Sequence, residues 1–163
     1  QEEEVGLNLQ VDLRVCDNPK ELTVQGKVIL PKGSLLTVGL WRKDGAENWE
    51  KMDEETVEVE MGGRFVSSLS PFKESMRDNV TDLESMQEIL KNSYEVKVTS
   101  HFRNDKEQPQ SVIKTVGEGG KKIAGEWVTD QGADGKAIIY SQKYQLNPSV
   151  HGPACFSFKP EKI

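Results

Sequence analysis

The sequence predicts an all-β chain: one antiparallel β-sandwich over residues 1–163, with one short helical insertion at about 72–92. Three observations carry that reading. Apolar and polar residues alternate in several segments, as they do in strands with one buried face. Turn residues cut the chain into roughly eight or nine runs about 8–15 residues apart, a spacing that suits sandwiches and barrels, while the strand–helix rhythm of a parallel α/β fold is missing. A single segment changes its period to three and four residues, the spacing of an amphipathic helix.

The first run is the clearest. Val5, Leu7, Leu9, Val11, Leu13 and Val15 share one face and Asn8, Gln10, Asp12 and Arg14 the other. No helical stripe would hold all six apolar side chains. After Asp17-Asn18-Pro19-Lys20, a turn by composition, Leu22, Val24, Gly26, Val28 and Leu30 repeat the pattern until Pro31-Lys32-Gly33-Ser34 interrupts it. Residues 35–41 read as a third strand, Asp44-Gly45 as a turn, and the polar stretch 48–55 as a loop that carries Trp49 and Met52. Val57, Val59 and Met61 then alternate with Glu58 and Glu60, Gly62-Gly63 turns the chain, and 64–69 returns as the second arm of a hairpin.

Leu83, Met86, Ile89 and Leu90 recur at helical spacing, with Thr81 placed as an N-cap ahead of Asp82 and Glu84. Alternation resumes at Tyr94, Val96, Val98, Ser100 and Phe102. Val112, Ile113 and Val116 read as a weaker strand, Gly117-Glu118-Gly119-Gly120 as a hairpin turn leading into a strand over 121–129, and 137–146 as the last strong strand. Through Gly26-Lys27-Val28-Ile29-Leu30-Pro31, and through Gly63-Arg64-Phe65 followed by Tyr94-Glu95-Val96-Lys97-Val98, the arrangement resembles immunoglobulin-like and transthyretin-like sandwiches. The resemblance is architectural, covers roughly half the chain and contains no functional motif.

With 21 basic and 27 acidic residues the net charge is −6, which repels nucleic acid and anionic membranes at a distance. No stretch reaches the about 18 consecutive apolar residues of a membrane helix, so neither a nucleic-acid partner nor membrane insertion is expected. The hydrophobic share of 35% is low, yet it is concentrated in patterned runs, which argues for a folded core. The chain begins at Gln1; as a processed or trimmed end this fits removal of a secretion signal and an extracytoplasmic location.

Chemical motifs are scarce. Gly117-Glu118-Gly119-Gly120-Lys121 fails the phosphate-loop template, which needs four residues between its first two glycines and a helix after its lysine. Asp130, Asp134 and Gly135 overlap the opening of a calcium loop, but Gly132 and Ser141 stand where ligands should be, leaving Asp130 and Asp134 as weak calcium candidates within an Asp/Gly turn. His101 and His151 are isolated, Ser67-Ser68 lacks the glycines of a nucleophile elbow, and the acidic Asp53-Glu54-Glu55, Glu58 and Glu60 read as a solvated hairpin face. No cofactor is expected.

Aromatic rings are the most suggestive residues. Trp41, Trp49, Trp127, Tyr140 and Tyr144 are candidates to stack a sugar ring or anchor a protein, although Tyr140 and Tyr144 share a face with Ile138 and Leu146 that also suits the core. Cys16 and Cys155 are either bridged, if the terminal strands meet, or two buried thiols. Asn79-Val80-Thr81 is a glycosylation sequon. The expectation is a non-enzymatic, extracytoplasmic binding or structural module for protein or carbohydrate; the alternatives are a hydrolase assembled from separate strands and a carbohydrate-binding module.

Overall fold

The computed structural model of the chain describes residues 4–15, 21–44, 48–72, 81–102, 108–151 and 156–161, without the side chains of residues 44, 82, 134 and 147–151. In chain order the elements are β1 (Val5–Gly6), β2 (Gln10–Val15), β3 (Leu22–Lys27), β4 (Leu35–Asp44), β5 (Asn48–Glu58), β6 (Arg64–Leu69), α1 (Asp82–Lys91), β7 (Tyr94–His101), α2 (Gln110–Val116), β8 (Ile123–Ala124), β9 (Val128–Asp130), β10 (Lys136–His151) and β11 (Phe156–Pro160).

Eight strands pair in the order β5-β4-β7-β10-β11-β2-β3-β6, and β9 adds to β10 beside them. Every neighbouring pair in this sheet is antiparallel. The sheet curls until its two end strands meet. There the Ser67 hydroxyl donates to Glu55 Oε1 at 3.0 Å, and the Ser70 amide donates to Asp53 Oδ2 at 2.9 Å. Side-chain acceptors thus stand in for a backbone ladder along the β5–β6 seam, and the result is an all-β, nearly closed antiparallel sheet. Closure of this kind leaves less unpaired edge to recruit other chains.

The inward residues are those the alternation selects. Leu13, Val15, Leu22, Val24, Leu36, Val38, Leu40, Val96, Val98 and Ile138 are all buried in one cluster with Phe65, Tyr94 and Phe158. At 25 cal/mol per Å², sealing a Leu or Val side chain contributes about 1.5–3 kcal/mol, so this row of strand residues is the main source of stability. The ring of Tyr94 meets Phe158 edge-on at 5.6 Å between centroids and closes the core beneath α1.

Helix α1 forms where the period changed. The Thr81 hydroxyl accepts the Glu84 amide at 3.2 Å, as an N-cap does, and Ile89 is fully buried while Leu83 is 69% exposed. Tyr94 donates its hydroxyl to the Ile89 carbonyl, tying the helix to β7.

Five readings are corrected by tertiary context. The first run is two strands, because Asn8 takes a φ of 45° between β1 and β2. Residues 48–55 are strand rather than loop, since β5 pairs with β4 from Asn48 to Glu58, and a ladder of backbone hydrogen bonds is indifferent to side-chain polarity. Residues 64–69 return along β3 instead of forming a hairpin ladder with β5, so that Leu22 stands opposite Leu69 and Lys27 opposite Arg64. Val112, Ile113 and Val116 lie on a helix, not a strand: their one- and three-residue steps make a stripe that α2 buries, and burial outweighs the modest helix propensity of β-branched residues. The glycine run is the exit from α2 into a 3₁₀ turn, with positive φ at Gly117, Gly119 and Gly120, and the strand expected over 121–129 is split into two short ones, β8 and β9.

A cleft beside Trp127

Trp127 lies in the connection between β8 and β9, where a cleft of about 260 Å³ is lined by Gly6, Leu7, Asn8, Leu9, Gly125 and Glu126 as well as the indole. Two short segments build its walls. Val5 and Gly6 pair in parallel with Ile123 and Ala124, and the Leu7 amide donates to the Ala124 carbonyl at 3.0 Å. Special backbone conformations flank the cleft on both sides: φ is 45° at Asn8 and 145° at Gly125. Asparagine and glycine are the residue types that enter such conformations most readily.

The indole is held from behind. Its ring meets Tyr140 at 4.6 Å between centroids and 65° between planes, and the Trp127 carbonyl accepts the Ile139 amide at 2.8 Å. Tyr140 is fixed in turn. Its hydroxyl lies 2.5 Å from that of Tyr144, which donates to the Val11 carbonyl at 2.9 Å. Since a phenol carries one proton and Tyr144 spends its own on Val11, Tyr140 is the donor in the tyrosine pair. The relay Tyr140→Tyr144→Val11 crosses the core from β10 to β2. Burial pushes both hydroxyls above the ordinary tyrosine pKa, and Asp12 adds to the rise in each.

The aromatic candidates therefore separate. Trp127 is half-buried at the cleft; Tyr140 and Tyr144, 5% and 1% exposed, sit behind it in the core. Trp49 is half-buried on β5 with Lys143 Nζ 5.1 Å from its ring centroid, and Trp41 on β4 carries Lys97 at 4.3 Å. These two indoles are already faced by ammonium groups of the chain itself. The sequence names Trp127 as one of five aromatic candidates, with Trp49 the one best placed for exposure, and gives no signal for Asn8, which reads as an outward position of an uninterrupted strand.

The remaining candidates fall elsewhere. Asp130 is exposed and its Oδ1 accepts the Gly132 amide at 2.9 Å, so it serves its own turn; the Asp134 side chain lies outside the described residues. Among the described residues no three His, Cys, Asp or Glu converge on a common point. His101 borders a separate cleft with Thr37, Thr56, Thr99 and Gln108. Gln108 works there as a clamp: its Oε1 accepts the Leu35 amide, and its Nε2 donates to the Leu35 and His101 carbonyls and to Ser100. Cys16, Cys155 and Asn79 lie outside the described residues, whereas Val15 and Phe156, the residues next to the two cysteines in sequence, are register partners of β2 and β11. Among the described residues no helix is long and apolar enough to cross a membrane. No protein-family model matches this chain, and no curated protein or solved structure matches it significantly.

Proposed function

We propose that the chain is a non-enzymatic binding module acting outside the cytoplasm, and that it recognises carbohydrate by stacking a sugar ring on Trp127. One observation supports this most: the indole lines a surface cleft while being immobilised from behind by Tyr140 and the Tyr144–Val11 relay. A ring already fixed loses little conformational freedom on binding, which is how aromatic anchors contribute affinity cheaply in entropy. Asn8 and Glu126 at the same cleft offer an amide and a carboxylate to sugar hydroxyls. The immunoglobulin-like or transthyretin-like character of the fold belongs to the same proposal, as does secretion, which is supported by the pairing of Val15 with Phe156 next to the two cysteines.

Affinity electrophoresis through gels containing soluble xylan, mannan, β-glucan or chitosan tests the reading. Retardation by at least one polysaccharide, abolished in Trp127→Ala and kept in Trp49→Ala, is the expected result. Equal mobility of the parent and Trp127→Ala in every gel refutes it.

A further inference from the structure

The outer face of β2, β3 and β6 holds a second concavity, of about 400 Å³, lined by Gln10 and Asp12 from β2, Gln25 and Lys27 from β3, Glu60 before β6 and Arg64 on it, with Gly26, Phe65 and Val66 as its apolar part. Register explains the gathering. Gln10 stands opposite Lys27 and Lys27 opposite Arg64; one row along, Asp12 stands opposite Gln25 and Gln25 opposite Val66, which is 49% exposed. These strand residues lie on the face away from the core residues Val11, Val24 and Phe65. The hollow is a consequence of strand pairing, so nothing in the linear sequence announces it.

Two features mark the hollow as more than a solvated face. Lys27 and Arg64 are like charges directly across a strand pair, an arrangement that costs stability unless something anionic lies between them. Carboxylates are at hand in Asp12 and Glu60, yet among the described residues neither forms an ion pair with Lys27 or Arg64. Elsewhere on the same sheet some surface charges do pair, as Lys51 with Glu54 at 2.9 Å and Lys97 with Glu95 at 3.8 Å.

We propose that this hollow binds a small zwitterion of the α-amino-acid type, its carboxylate between Lys27 and Arg64 and its ammonium toward Asp12. The charges decide the class. A bare anion between Lys27 and Arg64 is attracted by both but leaves Asp12 and Glu60 without a partner. A molecule with separated charges of both signs meets attraction at each end. Arg64 presents a planar donor fork to the ligand carboxylate, whereas a phosphate carries no cationic end to pair with Asp12 and Glu60. The Gln10 and Gln25 amides supply donors and acceptors to the rest of the ligand.

The experiment is calorimetric titration of the full chain at low ionic strength with glycine, L-alanine, L-glutamine and L-lysine, against acetate, methylammonium and inorganic phosphate. At least one amino acid is expected to bind tenfold or more tightly than acetate, methylammonium or phosphate. Lys27→Gln, Arg64→Gln and Asp12→Asn should each weaken it by about tenfold, as loss of a charged hydrogen bond does. Arg64→Gln should also raise the melting temperature of the unliganded chain, because it removes the like-charge pair; a purely structural arginine would give the opposite sign. Trp127→Ala should bind the amino acid unchanged, which separates this site from the cleft beside the indole. Amino acids that bind no tighter than acetate, phosphate as the tightest probe, or unchanged affinity in Arg64→Gln would each overturn the assignment.

Discussion

Replacing the two core tyrosines one at a time tests the direction of the hydroxyl relay behind Trp127. In Tyr144→Phe both hydrogen bonds of the relay vanish, leaving the buried Tyr140 hydroxyl without its acceptor and the Val11 carbonyl without its donor. Each lost bond is worth about 0.5–1.5 kcal/mol net, and a buried polar group left unpaired costs about 1–3 kcal/mol. With two groups left unpaired, Tyr144→Phe is expected to cost about 2–6 kcal/mol, a large part of the about 5–15 kcal/mol by which domains are stable. Tyr140→Phe is different in kind: it removes one donor, and Tyr144 keeps its bond to Val11, so a loss of about 1 kcal/mol is expected. Urea denaturation of the parent, both single variants and the double variant reads these values from midpoints at constant m. The double variant should cost less than Tyr144→Phe, since it also removes the Tyr140 hydroxyl that the single change strands. A Tyr140→Phe loss equal to or greater than that of Tyr144→Phe would refute the relay and reverse the donor order.

The chain has three tyrosines, and Tyr94, Tyr140 and Tyr144 are all held above the ordinary value of 10.0 by burial. Folded pKa values above unfolded ones make the unfolded chain ionise first, so their contribution is complete below about pH 10 and is lost as pH rises further; absorbance at 295 nm should show the phenolates appearing together with unfolding, and a tyrosine titrating near pH 10 in the folded chain would count against this. Ile89→Lys on the buried side of α1 should cost more than about 2 kcal/mol while Leu83→Lys, on the exposed side, leaves the melting curve within about 0.5 kcal/mol of the parent; a silent Ile89→Lys would mean the helix does not pack on the sheet. Thiol titration of the denatured, unreduced chain should find no free thiol and a monomeric mass, because Cys16 and Cys155 adjoin the register partners Val15 and Phe156; in the chain-entropy model such a bridge contributes on the order of 5 kcal/mol, and two free thiols would refute it.

Local information in the sequence was sufficient wherever one residue's neighbours settle its fate. Alternation from Gln10 to Val15 and from Tyr94 to Ser100 places every buried side chain of β2 and β7 correctly, because successive residues of a strand must face opposite ways. Thr81 caps α1 because the bond it makes reaches three residues along the chain. Polar β5 and apolar α2 escaped the same reasoning: the first is a strand through its ladder to β4, and the second a helix through the core it covers. Those causes lie outside the segments themselves. The candidate sites divide along the same line. Trp127 is one of five aromatic candidates visible in the sequence, but the cleft needs Asn8 from the opposite end of the chain, and the Lys27–Arg64 pair exists only because β3 and β6 are in register. A single sequence records each residue's preferences and its nearest neighbours; which distant strands share hydrogen bonds is decided by the closure of the whole sheet, where burying one common core selects one pairing among many.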